Sequence, residues 1–274
     1  MPEVPQSRKV LKDTLSFVKE WGGIGTLLIA LLYTFPFDLY DRYFNWDQRN
    51  LVSARAAVAQ MADLTAQRVL ATAQFKEDVV TRDFLANMYN IRIFNIIETH
   101  AEAFKKSSGR LTFGELYAIG SNLSLNGRGK DAIYFYEESL KKSDRAASST
   151  VNREMGYTLG QKGPSQDIPR ARKAYLESIS VLADKSVWLD PRFYAQNVSE
   201  LAIIELHSGD RKCGEKLVTL ADTAFSAIAI YDPSIRQIST LFHQTASAAK
   251  KATTGQPVDG CCYEVPTNQI LFGG

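Results

Sequence analysis

Thiols, imidazoles and paired carboxylates are the side chains of this sequence that could do chemistry, and their spacing tests each set. Zinc is held where four Cys or His converge, which a chain arranges with C-x2-C steps or closely spaced Cys/His pairs. His100, His207 and His243 are scattered, and Cys213 stands far from the adjacent Cys261 and Cys262, so no metal site is expected. Three cysteines are an odd, sparse set and do not read as a disulfide framework. The adjacent pair lies in a tail containing Gly and Pro, where it is either incidental or open to redox chemistry or acylation. Glu137 and Glu138 are neighbours on a predicted helix, so they point in different directions and suit a solvated face better than an acid/base pair. There is no phosphate-cradling glycine loop, no H-E-x-x-H and no G-x-S-x-G. The expectation is therefore no cofactor and no catalysis, the chemical alternative being a reaction carried by the tail cysteines.

Length and composition bound what remains. With 274 residues, 45% hydrophobic and 23% charged, the chain has ordinary globular usage and enough apolar material for one sizeable core plus accessory segments. The net charge of +2 is spread as mixed signs. It forms no Lys/Arg stripe of the kind that phosphate contacts need, so nucleic acid is not an expected partner.

The elements that would position a binding residue are clearest from Leu111 to Leu140, LTFGELYAIGSNLSLNGRGKDAIYFYEESL. Thr112 and Glu115 form a T-x-x-E capping box, and Leu111 with Leu116 stands where a hydrophobic staple would, so a helix starts here. Leu116, Ile119, Gly120 and Leu123 line its inner face, and Asn126-Gly127-Arg128-Gly129 breaks it. A second helix from Lys130 turns Ala132, Tyr136 and Ser139 inward. Gly120 and Ala132 are small where two backbones approach, and the Tyr136 ring fills the space beside them.

Two weaker copies follow. One has Gly156 and Leu159, then Ala171, Tyr175 and Ser178 after the longer turn GQKGPSQDIP with its Asp167. The other has Leu201 and Ala202, the turn His207-Ser208-Gly209-Asp210, then Gly214, Val218 and Ala221. Asp190-Pro191 and Asp232-Pro233 each read as an N-cap followed by a first-turn proline. The second of these opens a last helix whose Gln, Ser and Lys face suits a solvent-facing cap.

This pattern resembles the tetratricopeptide repeat, W-x2-L-G-x2-Y followed by A-x3-F and a Pro. Leu116 takes the Trp place, Ile119 and Gly120 the L-G, Leu123 the Tyr, Ala132 the Ala and Tyr136 the Phe, while the closing Pro is absent. Equivalent positions 120, 156 and 202 are unevenly spaced against the family's period of about 34 residues. The resemblance implies an all-α helix-turn-helix solenoid whose concave surface binds a protein or peptide partner. On that surface Tyr117, Arg128, Lys130, Tyr134, Phe193 and Tyr194 would be the partner-binding residues. The same helical spacing also suits aromatics packed between repeats.

Upstream, Trp21 to Phe37 carries no charge, and as a helix it spans about 26 Å. Trp21 stands at one end, and Tyr40, Tyr43, Phe44 and Trp46 crowd the other, as interfacial aromatics do. These features predict a single transmembrane helix, the competing readings being a buried core helix or a signal peptide. Arg8, Lys9, Lys12 and Lys19 before it slightly outnumber Arg42, Arg49 and Arg55 after it. That balance places the N-terminus in the cytoplasm and the repeats across the membrane, with a cytoplasmic repeat domain as the alternative.

The resulting organisation has an amphipathic segment at 1–20, an anchor at 21–46, juxtamembrane helices at 47–106, the repeat domain at 107–252 and a flexible or loosely docked tail at 253–274. In the first juxtamembrane helix Leu51, Ala54, Val58, Met61 and Ala62 mark one face. In the second, Phe84, Leu85, Met88, Ile91, Phe94, Ile97 and Phe104 form an apolar stripe expected to pack on the repeats. The expected function is a membrane-anchored scaffold. The alternative is a structural subunit of a membrane complex, a possible homo-oligomer assembled through Gly22, Gly23 and Gly25 of the anchor.

Overall fold

The computed structural model describes residues 46–184, 190–208, 210–252 and 264–266. These residues are all-α, and nine helices follow one another: α1 (46–74), α2 (Val79–Ser107), α3 (Phe113–Leu125), α4 (Gly129–Leu140), α5 (Arg145–Gly160), α6 (Ile168–Ala183), α7 (Pro191–Ser208), α8 (Arg211–Ala229) and α9 (Ile235–Ala252). The expected amphipathic segment and transmembrane helix lie outside the described residues. Among the described residues no helix is long and apolar enough to cross a membrane.

Short acceptor side chains start most of these helices. At the head of α3, Glu115 N–H donates to Thr112 Oγ1 at 3.3 Å and Thr112 N–H donates to Glu115 Oε2 at 2.7 Å, the reciprocal pair of a capping box. Asp78, Asp144, Asp167 and Asp210 each accept from a backbone N–H three residues on, opening α2, α5, α6 and α8. Gly127 holds φ +73 in the turn between α3 and α4, where a side chain would be strained.

The hairpins α3–α4, α5–α6 and α7–α8 pack extensively and stack in sequence order, with α9 closing the end against α7 and α8. Their close approach is set by small residues. A Cβ on Gly120 would stand 2.8 Å from the Tyr136 ring, and one on Gly156 would stand 2.7 Å from the Tyr175 ring. In the third hairpin a Cβ on Gly214 would meet Leu206 at 2.7 Å, and Ala202 and Ala221 are fully buried. The sequence repeat is thus a repeat of packing.

The core divides into two clusters. One joins α1 and α2 to α3, α4 and the first half of α5 through Met61, Ile97, Phe104, Leu116, Tyr136 and Val151, and the other runs from Ile133 on α4 and Leu159 on α5 through α6–α9 with Tyr175, Tyr194, Leu201 and Phe225. Met155 on α5 packs against both. Helices α1 and α2 run antiparallel, as Arg68 Nη1 donating to Asn90 Oδ1 at 2.6 Å and Arg110 pairing with Asp47 at 3.3 Å show.

Several expectations are corrected. On α1 the buried face is Ala54, Ala57, Met61 and Leu64, and Ala62 is exposed, because at 3.6 residues per turn it lies about 120° round the helix from the centre of that stripe. On α2 only the C-terminal half reaches the repeats, so Ile93, Ile97 and Phe104 are buried while Phe84, Met88 and Ile91 stay exposed. The polar outer face of α9 is interrupted by exposed Ile238 and Leu241. The cysteines are not merely incidental, since Cys213 is disulfide-bonded and the chain's other cysteines are Cys261 and Cys262. Part of the tail is docked: Tyr194 donates its hydroxyl to the Pro266 carbonyl at 2.9 Å, and Val265 packs on the second core cluster.

Candidate functional site

A concavity of about 380 Å³ opens where α5, α6 and α7 meet. Tyr157 and Gly160 contribute from the last turn of α5, Ile168 and Tyr175 from α6, and Glu200, Ile203, Ile204 and His207 from α7. The longer turn between α5 and α6 adds Gln161, Lys162 and Gln166 at the lip. Gly160 leaves the opening clear, since a Cβ there would collide with the Ile204 side chain at 2.3 Å.

The floor is polar but saturated. Glu200 Oε2 accepts from Arg153 Nε at 2.9 Å and from the Tyr175 hydroxyl at 3.1 Å, while Oε1 accepts from Arg153 Nη2 and, at 3.1 Å, from Gln196. Arg153 also reaches Glu154 at 3.2 Å. Deeper in the array Glu205, fully buried, accepts two bonds from Arg172. A carboxylate held by four donors is a structural brace and not a free base.

Burial sets the titration of the groups around this brace. Desolvation raises Glu154, and the neighbouring Glu200 charge adds to it against the pull of Arg153. Burial also raises the phenols of Tyr117, Tyr136 and Tyr175, with Glu154 or Glu200 adding to the rise. Burial works against the charge of Arg153, yet its bonds to Glu200 hold its pKa above the ordinary value. Desolvation by burial is the largest influence on each of these groups, and the charges of Glu154, Glu200 and Arg153 modify it.

The residues picked from the sequence do not assemble into one site. Tyr117 is half-buried on α3, stacked on Phe113 with ring centroids 6.2 Å apart and tilted against Tyr136 at 6.3 Å. Arg128 and Lys130 border a second, smaller concavity of about 210 Å³ with Pro164 and Ser165, and Arg128 is engaged by Asp131 and Glu98. Tyr134 is exposed, and its hydroxyl lies 2.9 Å from Ser108 Oγ. Phe193 is exposed at the start of α7, but its neighbour Tyr194 is fully buried and belongs to the core, a correction to its reading as a contact residue.

Tyr157, Glu200, Ile203 and Ile204 are among the lining residues that sequence reasoning passed over. Their signal was the longer turn after α5, which leaves a ledge between consecutive hairpins. Among the described residues no group of three His, Cys, Asp or Glu could hold a metal ion. Comparison with protein-family models, curated proteins and solved structures finds no match.

Proposed function

We propose that this chain is a membrane-anchored scaffold of tetratricopeptide type that binds a protein or peptide partner on the surface of its repeats and carries out no catalysis. One observation carries the reading: the concavity between α5, α6 and α7 has aliphatic and aromatic walls, a saturated carboxylate floor and an exposed Lys162 at its lip. Such a site receives a large apolar side chain of a partner and offers a cation to an acidic neighbour. The uncharged stretch from Trp21 to Phe37 supplies the anchor. The Cys213 disulfide favours a repeat domain outside the reducing cytosol, in agreement with the Lys/Arg balance around that stretch.

The test uses the full chain in its native membrane with a photoreactive residue at Tyr157. A specific adduct that disappears in an Ile203→Asp background supports the reading, and an adduct pattern indifferent to Ile203→Asp sinks it. A compartment-sensitive reporter fused after Ala252 decides the side of the membrane.

A second reading, a structural subunit of an oligomeric membrane complex, is favoured by the exposed apolar stripe Val80, Phe84, Met88 and Ile91 on α2. Native gels in mild detergent that show monomer alone would remove it.

A further inference from the structure

The half of α2 that the repeats do not reach keeps an apolar outer face. In its C-terminal half Ile97 and Phe104 are buried, and there α2 packs on α3. In its N-terminal half α2 has α1 on one side, where Arg68 reaches Asn90 at 2.6 Å and Tyr89 packs on the first core cluster. On the other side Val80 is 81% exposed, Phe84 68%, Met88 36% and Ile91 54%. Steps of four, four and three hold these four on one stripe about 16 Å long.

A stripe on the face opposite the first partner needs a further layer to cover it. Its area says how large that layer is. The four side chains leave roughly 400 Å² of apolar surface in water, taking about 150–200 Å² for a large side chain fully exposed. Since interfaces are a little over half apolar, the stripe is the core of a contact of about 700 Å² per partner, close to the ~800 Å² each side gives to a specific interface of standard size. The run from Phe84 to Ile91 contains no charged residue, as the centre of an interface requires.

Charges of opposite sign stand at its two ends. Glu77 and Asp78 precede the stripe and Arg92 follows it, all three exposed, and neither Glu77 nor Arg92 has an ion-pair partner among the described residues. Such a stripe is complementary to itself when one copy is turned end for end, because Arg92 of each copy then lies by the acidic end of the other. Parallel pairing would set Arg92 against Arg92. End-for-end pairing also keeps the two repeat arrays at opposite ends of the contact, since the repeats meet only the C-terminal half of α2.

We infer that two copies of this chain pair through the N-terminal halves of α2, antiparallel across a two-fold axis. Val80 of each lies against Ile91 of the other, with Phe84 and Met88 between them. This rests on the second reading above, an oligomeric complex, and names a second copy as the occupant of the stripe.

The experiment places benzoylphenylalanine at Phe84 of the full chain in mild detergent, with ordinary and heavy-nitrogen chains mixed so that an adduct between copies is told from one within a chain. Expected is an adduct of doubled mass that joins position 84 to the stretch 84–91 of the other copy. Ile91→Glu lowers its yield about tenfold, and Arg92→Glu lowers it several-fold unless Glu77→Arg is made in the same chain. Circular dichroism checks that each variant remains helical, and Val80→Glu replaces Ile91→Glu if that variant unfolds. Adducts confined to one chain, adducts only with other proteins or lipid, no adduct, or a yield indifferent to these substitutions would overturn the inference. Native gels that show an oligomer beside such a result leave the second reading standing, whereas monomer alone removes both.

Discussion

Ser178 donates its hydroxyl to the backbone carbonyl of Ser149, 2.7 Å away and 29 residues earlier in the chain. The preceding hairpin makes the same bond over 26 residues, from Ser139 to the carbonyl of Phe113 at 3.3 Å. The extra residues lie in the longer turn between α5 and α6, so the insertion is absorbed there and the helices keep their relative placement. Ala221 stands where the third hairpin would carry this serine, and being fully buried it keeps the packing without the bond. Two hydrogen bonds at equivalent places tie the repeat of sequence to a repeat of geometry.

Close packing at the glycines makes the first prediction. Gly156→Ala puts a methyl group within 2.7 Å of the Tyr175 ring, and Gly120→Ala does the same against Tyr136. Each is expected to cost about 1–3 kcal/mol in denaturant unfolding, the usual penalty for overpacking. Gly114→Ala, which meets no atom within 4 Å, serves as the control and leaves stability unchanged or raises it by about 0.5 kcal/mol.

The brace on the floor of the concavity makes the second. Glu200→Gln removes the charge that Arg153 and Tyr175 converge on, leaving an enclosed guanidinium with only Glu154. A loss of about 2–3 kcal/mol is expected, below the full cost of splitting a deeply buried pair because both side chains keep some contact with water. The pair Arg153→Met with Glu200→Gln should recover part of it in a double-mutant cycle, and strict additivity would show that the two residues are not coupled.

Glu154 makes the third, with its sign fixed by burial. Its folded-state pKa is raised, so the protonated form is favoured by folding, and that contribution is complete below the ordinary glutamate value and lost as pH climbs through the raised one. Glu154→Gln mimics the protonated state. It should raise the melting temperature at pH 7.5 and lose its advantage near pH 4, and a difference that is the same at both pH values would refute this account.

Fourth, reduction of the Cys213 disulfide should destabilise the array by about 2–4 kcal/mol, the usual range for a long closed loop. Cys213→Ser should show the loss without reductant and then no further response to it. Comparing Cys261→Ser with Cys262→Ser identifies the bonded partner, since only one of them should reproduce the loss.

Local signals in the sequence were legible because their physics is local. The capping box at Thr112 and Glu115, the Asn-Gly break and the small residues 120, 132, 156 and 171 each act within one hairpin, and each appears where spacing placed it. Arg153 and Glu200 meet across 47 residues of chain, and nothing near either announces the other. The same holds for α2, where one continuous apolar stripe is buried only in the half that the repeats reach. Tyr194 read as a contact aromatic because no local signal separates it from its exposed neighbour Phe193, although it lies fully buried in the second core cluster. An odd number of cysteines concealed a disulfide, since parity excludes a fully paired set and not a single bond.

Met155 packs against both core clusters. The described residues therefore contain two bodies of buried apolar surface that adjoin within α4 and α5, where Ile133 and Leu159 belong to one and Phe135 and Val151 to the other. Cooperativity in such an array depends on the strength of that junction. Weakening it, for instance with Met155→Ala, would uncouple the N-terminal helices from the rest and turn one melting transition into two. The N-terminal helices could then loosen or refold without disturbing the helices that carry the concavity.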